Sequence, residues 1–246
     1  MRVGIVIPAR NEARSIAQVI AEIPRRDVEE ILVVDNGSTD DTAAEARAAG
    51  ARVIEEPIPG YGRACLAGLA ALSPAVDTVA FLDADHSDYP EELPLLLAPI
   101  AEGRAELVIG SRFARAEQGS LTPPQRFGNS LACALMRRLF NACYTDIGPF
   151  RAIRREALDR LDMQDRAFGW TVEMQAKAAR AGLRIAEVPV GYRPRIGRSK
   201  ISGTVRGTIL AGIGILSTIF TVAWARRSPD AETQGRAAAR PGSSSA

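Results

Sequence analysis

An α/β domain with a mostly parallel central sheet flanked by helices is predicted by three features of the sequence. Short apolar runs rich in Val and Ile alternate with stretches of helical periodicity through the first 85 residues. Three of these runs end in polar loops: Pro8-Ala9-Arg10-Asn11-Glu12, Asp35-Asn36-Gly37-Ser38 and Asp83-Ala84-Asp85. At 246 residues and 46% hydrophobic content, the chain can bury a core of the size that such a sheet needs.

The elements follow in order. Val3 to Ile7 reads as a strand, and Glu12 to Ile23 as a helix carrying Ile16, Val19, Ile20 and Ile23 on one face until Pro24 stops it. Glu30 to Asp35 is the second strand, followed by an alanine-rich helix that Asp40 or Thr39 can cap and Gly50 closes. Arg52 to Glu55 gives a third strand, Gly62 to Leu72 a helix, and Thr78 to Leu82 a fourth, buried strand. This βαβαβαβ order calls for right-handed crossovers. Further on, Glu106 to Gly110 is a strand, Gln125 to Asn141 a helix, and Asp146 to Ile153 returns to the sheet. A helix beginning at Glu173 runs through Ala181 to a stop at Gly182.

Composition narrows the function. Thirty-one basic and 29 acidic side chains leave a net charge of +2, well short of the positive field of a nucleic-acid binder. Cys65, Cys133 and Cys143 lack paired spacing, and with His86 as the single histidine there is no zinc set. A reducing, cytoplasmic setting fits, and the amino terminus has no signal-peptide pattern.

The polar loops carry the chemistry. In an open α/β sheet, loops at the carboxyl ends of parallel strands face one crevice. There, Asp83 and Asp85, one residue apart after a buried strand, suit a hard divalent cation that takes its other ligands from phosphate and water. The same pair also occurs in ordinary acidic turns, and Asn11, Asp35 and Ser38 also serve as caps and turn formers. Gly60-Tyr61-Gly62 could bring backbone amides to phosphate. The Walker and Rossmann glycine patterns are missing after the first strand, which argues against a P-loop enzyme and an ordinary dehydrogenase. Asp146 and Glu173 are candidates for the catalytic pocket, since transfer to a hydroxyl needs a base whereas transfer to an ionised phosphate does not.

Taken together, Val6-Ile7-Pro8-Ala9-Arg10-Asn11-Glu12, Ile31 to Asp40 and Asp83-Ala84-Asp85 resemble family 2 glycosyltransferases of the GT-A (nucleotide-diphospho-sugar transferase) fold. Gly110-Ser111-Arg112, Thr145 to Arg151 and Arg198-Ser199-Lys200 are similar to the dolichyl-phosphate mannose synthase subgroup. The resemblance implies a UDP- or GDP-linked sugar donor, Mg²⁺ or Mn²⁺ as cofactor, and a polyprenyl phosphate acceptor. By residue it implies a donor pocket of Pro8, Ala9, Glu12, Asp35, Gly62, Asp83, Ser111 and Arg112. The metal would sit on Asp83, Asp85 and Ser87, and catalysis would involve Asp85, Asp146 and Glu173. The subgroup's acidic motif usually continues Leu-Gln-His, where this chain has His86 and Ser87, so only the two aspartates carry over directly.

Arg195, Arg198 and Lys200 are the expected holders of the acceptor phosphate. They precede the charge-free stretch Gly207 to Ala225, whose 19 residues match a membrane span in length but include six Gly or Thr. The expected layout is a transferase domain over 1–203, a hydrophobic helix over 204–226, interfacial or spanning, and a loose tail over 227–246. The whole would act at the cytoplasmic face of the membrane. Three alternatives stand beside it: a soluble or cell-envelope hydroxyl acceptor, a sugar nucleotidyltransferase, and a non-catalytic binding module.

Overall fold

A computed structural model describes residues 1–197 and 205–225 of the chain. The expected βαβαβαβ half is present: β1 (Val3–Ala9), α1 (Ile16–Glu22), β2 (Val28–Asp35), α2 (Thr42–Ala48), β3 (Arg52–Glu55), α3 (Tyr61–Ala71) and β4 (Thr78–Phe81). A 3₁₀ turn at Pro90–Glu92 leads into α4 (Leu93–Ala101), then β5 (Leu107–Ala116), α5 (Pro123–Phe140), β6 (Arg151–Arg154), α6 (Arg155–Leu161), α7 (Trp170–Arg180), β7 (Ile185–Tyr192) and α8 (Val205–Trp224).

The strands form one sheet in the order β3-β2-β1-β4-β6-β5-β7. Every neighbouring pair is parallel except those made by β6, which runs antiparallel to both β4 and β5. The alternation of the strands sorts their side chains onto two cores. Val6, Leu32, Val34, Phe81, Leu107 and Ile109 pack with α3, α5, α6, α7 and α8 on one face. Ile5, Ile7, Ile31, Val33, Ala80 and Val108 pack with α1, α2 and α4 on the other. Both faces are covered, and so these strands read as unbroken apolar runs.

Several elements begin elsewhere than periodicity predicts, each for a local reason. Residues 12–15 turn before α1 starts, because Asn11 sits in the left-handed region (φ 53°) and Glu12 O accepts the amides of Ser15 and Ile16. At α5, a capping box between Thr122 and Gln125 with Pro123 in the first turn starts the helix two residues early. The first turn of α7 is at Trp170 and not at Glu173, which falls inside it. Strand β7 and helices α4 and α6 have no counterpart in the sequence reading.

At the carboxyl end of the chain, α8 packs on α5 and α7, burying Ile219 and Val222. Arg180 caps its end by donating to Val222 O and Ala225 O. Its other face leaves Ile209, Leu210, Ile213, Phe220 and Trp224 exposed. Among the described residues no helix is long and apolar enough to cross a membrane. The tail over 227–246, with Arg198 and Lys200, lies outside the described residues.

Candidate active site

Because β1, β2 and β4 are parallel neighbours, their carboxyl ends bring the three polar loops together. The first two loops are laced to each other. Asn11 N donates to Ser38 Oγ (2.9 Å), Thr39 N to Asn11 Oδ1 (2.7 Å), and Glu12 N to Thr42 Oγ1 (2.8 Å). Pro8 and Ala9 end β1, pairing with Val34 and Asp35 of β2. Asp35, partly buried, accepts from Ser38 N at 3.0 Å, an Asx-type turn that holds its carboxylate at the strand's end.

A residue the sequence reading left unassigned organises the next layer. Asn36, 5% exposed, donates to Glu56 O and Ile58 O and accepts from Gly60 N (2.7 Å), tying the β2 loop to the approach of α3. Its signal in the sequence was only its position inside the Asp35-Asn36-Gly37-Ser38 loop. Gly62, expected in the donor pocket, lies against protein backbone. Its amide and that of Arg63 donate to Ala167 O and Arg166 O, so a backbone loop over 164–169 covers the amino terminus of α3. A Cβ at Gly62 would lie 2.0 Å from Asp165 O, and glycine is needed there for that close approach.

The acidic motif follows β4. Tyr61 donates its hydroxyl to Asp83 Oδ1 (3.2 Å), and Asp83 N donates to Asp88 Oδ2 (3.3 Å). Asp85, 6% exposed, accepts from Ser87 N (2.9 Å) and from the Ser87 hydroxyl. Ser87, expected among the metal ligands, is thus placed to orient Asp85. Three carboxyls crowd this turn. Burial and the charge of Asp85 push the Asp83 carboxyl up to about 7. Burial and the charges of Asp83 and Asp85 raise Asp88 well above the ordinary range. Asp88 Oδ1 is buried with no hydrogen-bond partner among the described residues.

Such a like-charge cluster at a strand end fits a divalent cation with oxygen ligands, which relieves the repulsion that raises these carboxyls. Among the described residues no group of three or more His, Cys, Asp and Glu is placed to hold a metal unaided. His86 stands apart from this chemistry. It takes the left-handed conformation (φ 64°) and pairs with Glu22, to which Arg193 also bonds (2.6 Å).

Arg112 and Asp146 form the second wall. Strand β5 loses register with β7 between Ser111 and Arg115, and there Arg112 turns inward. Asp146, fully buried, accepts from Arg112 Nε (2.8 Å), NH2 (2.7 Å) and backbone N (2.8 Å). Burial works against the Arg112 charge, yet the Asp146 carboxylate holds the guanidinium well above its ordinary pKa. The guanidinium also lies 4.8 Å over the Tyr192 ring. Ser111 Oγ meets Thr145 Oγ1 at 2.7 Å.

The turn carrying Asp146 is held by side chains that periodicity never flagged. Glu187 accepts from the amides of Thr145 and Asp146, Asn129 spans Thr145 O and Ile147 N, and Gln175 donates to Asp146 O. Glu173 is engaged by its surroundings. Its two oxygens accept from Gln164 N (2.9 Å) and Asp165 N (2.8 Å), and Lys177 pairs with it at 2.7 Å. It anchors the 164–169 loop that covers Gly62. Arg195, expected on the acceptor phosphate, bridges Asp85 Oδ2 and Glu12 Oε1, each at 3.1 Å.

Comparison with known proteins decides the family on this geometry. The family model described as Glycosyl transferase family 2 matches residues 4–162. The chain belongs to that family. An uncharacterized glycosyltransferase of Mycobacterium tuberculosis is 44% identical over 212 residues, covering 85% of this chain and 94% of that one. The undecaprenyl-phosphate mannosyltransferase of Micrococcus luteus is 35% identical over 232 residues, 87% of this chain and 93% of that one, in line with the subgroup resemblance. Among solved structures, Mycobacterium tuberculosis glucosyl-3-phosphoglycerate synthase, in complex with Mn²⁺, UDP and phosphoglyceric acid, superposes with a TM-score of 0.74 at 26% identity. It covers 92% of this chain and 80% of that one. The fold is therefore GT-A, and the protein is a nucleotide-sugar-dependent glycosyltransferase. The nucleotidyltransferase and binding-module alternatives fall away.

Proposed function

We propose that this glycosyltransferase moves a hexose from a UDP- or GDP-linked donor to a polyprenyl phosphate, with inversion, at the cytoplasmic surface of a membrane. One observation carries the choice of acceptor. Both carboxylates that could serve as base for a hydroxyl are already engaged, Asp146 by Arg112 and Glu173 by two loop amides and Lys177. A phosphate oxygen is ionised and needs no base. The mannosyltransferase relative, which its name places on undecaprenyl phosphate, supports the same reading.

Pro8, Ala9, Asp35 and the Asn11–Thr39 lacing would hold the base and ribose, remote from the reacting carbon. Asp83 and Asp85 would hold Mg²⁺ or Mn²⁺ on the diphosphate. The bound cation would offset charge growing on the leaving nucleoside diphosphate. Arg112, fixed in one rotamer by Asp146, presents the rest of its fork to a phosphate without losing conformational entropy on binding. The exposed Ile209, Leu210, Ile213, Phe220 and Trp224 of α8 support membrane contact along the surface, where a lipid acceptor resides.

A second reading takes a soluble hydroxyl acceptor, favoured by the structural likeness to glucosyl-3-phosphoglycerate synthase. Purified protein, Mn²⁺ and a panel of nucleotide sugars, offered either a short polyprenyl phosphate in detergent or phosphoglycerate, separate the two. Transfer to the lipid phosphate is expected, and Glu173→Gln should reduce it only several-fold. Transfer to phosphoglycerate alone, abolished by Glu173→Gln, would replace the first reading with the second.

A further inference from the structure

The acidic motif carries its own cation. Arg195 follows β7 on a strap sewn across the motif by two backbone hydrogen bonds, Arg193 N to Ser87 O and Ile196 N to Asp85 O, each 2.9 Å. From that strap its guanidinium reaches both Asp85 Oδ2 and Glu12 Oε1 at 3.1 Å. Among the described residues these contacts are made by NH1 and NH2, and the buried Nε has no hydrogen-bond partner. A fork that spans two carboxylates from different loops and leaves its third nitrogen unsatisfied is held by charge more than by a completed hydrogen-bond set. Asp85 is also one of the two carboxylates that fit a divalent cation.

We propose that Arg195 is a displaceable counter-cation, which neutralises Asp85 and Glu12 until a divalent metal takes over Asp85 and frees the guanidinium. On the proposed function, to which this second duty is tied, the freed guanidinium then meets the acceptor phosphate. Donor with metal would bind before acceptor, since the residue that recognises the acceptor is occupied until then. Both carboxylates cannot keep the arginine at full strength once a double positive charge sits on one of them, because like charges at contact distance repel strongly in a partly buried site.

The test titrates Mn²⁺ alone into full-length wild type, Arg195→Gln and Arg195→Lys, following the free-ion electron paramagnetic resonance signal, with thermal melts as a check on folding. Removing the competing charge should tighten Mn²⁺ binding by about five- to tenfold in Arg195→Gln, the worth of one or two partly screened ion pairs. Arg195→Lys, which keeps the charge without the fork, should fall between. It also decides the matter if the glutamine variant does not fold. Equal or weaker Mn²⁺ binding in the folded variants overturns the proposal, since a merely structural arginine would weaken metal binding when removed. With a short polyprenyl phosphate as acceptor, the same variant should raise the acceptor KM, a shift opposite in direction to the metal's. Tighter Mn²⁺ with unchanged acceptor KM would overturn the second duty. If wild type transfers nothing to polyprenyl phosphate, the acceptor reading fails while the titration still decides the counter-cation.

Discussion

Asp146→Ala is the substitution whose consequence the structure specifies most closely. The carboxylate is fully buried and accepts three hydrogen bonds, two from the Arg112 side chain and one from the Arg112 amide. Its removal strands a guanidinium only 12% exposed. Breaking a buried pair from one side costs about 3–5 kcal/mol. At about 2–4 °C per kcal/mol for a domain of this size, the melting temperature should fall by about 6–20 °C. Arg112→Met should cost less, because the Arg112 amide still satisfies one Asp146 oxygen. The double variant Arg112→Met with Asp146→Leu should recover much of the loss, since an apolar pair can replace a buried ion pair at little cost. Urea titrations of wild type, Arg112→Met, Asp146→Leu and the Arg112→Met, Asp146→Leu double variant close a double-mutant cycle. Additivity within about 0.5 kcal/mol, or a loss in Asp146→Ala below about 1 kcal/mol, would show that the pair is not coupled as described. Asp146 would then be an available base after all.

Two further predictions rest on the neighbouring loops. Asp83 has its carboxyl raised to about 7 by burial and by Asp85, against about 3.9 in an unfolded chain. The native state therefore binds more protons between those values, and through this group stability falls as pH rises across that window. In chelator, Asp83→Asn should melt higher than wild type at about pH 8, with the advantage shrinking toward about pH 5. An advantage that grew on acidification would refute the sign. Gly62→Ala must push the 164–169 loop off α3, because its Cβ would meet Asp165 O at 2.0 Å. Overpacking of that kind costs about 1–3 kcal/mol, and the displaced loop should raise the donor KM. An alanine variant that melts and turns over as wild type does would show that the loop has room to yield.

The amino-terminal half was legible because its signals are local. Apolar runs, Gly50 and Pro24 mark β1 to β4 with little help from the rest of the chain, whereas the N-cap of α2 is Asp41 and not the expected Thr39 or Asp40, and the strands' parallel order fixes where the polar loops meet. The carboxyl-terminal half was less so. Strand β6 inserts between β4 and β5, a long-range pairing of Phe81 with Arg151 and of Ile109 with the same residue that no periodicity encodes. The same limit applied to the site. Asp83, Asp85 and Asp146 stood out in the sequence and Arg112 through the family resemblance, but their partners did not. Glu187, Asn129 and Gln175 lie 42, 16 and 29 residues from the backbone groups that they hold. Glu173 shows the same limit, since an acid in a helix's first turn gives no sign in sequence of the two loop amides that its oxygens accept.

The hydrophobic segment near the carboxyl terminus shows why length and absence of charge decide less than the distribution of side chains. Nineteen uncharged residues from Gly207 to Ala225 satisfy the length of a span. A span presents apolar side chains all round, whereas α8 divides them. Ile219 and Val222 are in the core with α5 and α7, and Ile209, Leu210, Ile213, Phe220 and Trp224 face outward. The division is fixed by polar contacts at specific heights on the helix. Thr218 donates to Asp165 Oδ2 (2.9 Å), and Arg180 holds the carbonyls of Val222 and Ala225. Asp165 in turn receives the amides of Ala167 and Gly169, inside the loop that covers Gly62. The helix is thereby tied to the loop that covers Gly62, and withdrawing it into a bilayer would uncover Ile219 and strip Asp165 of a donor. Contact along its outward face keeps both interactions.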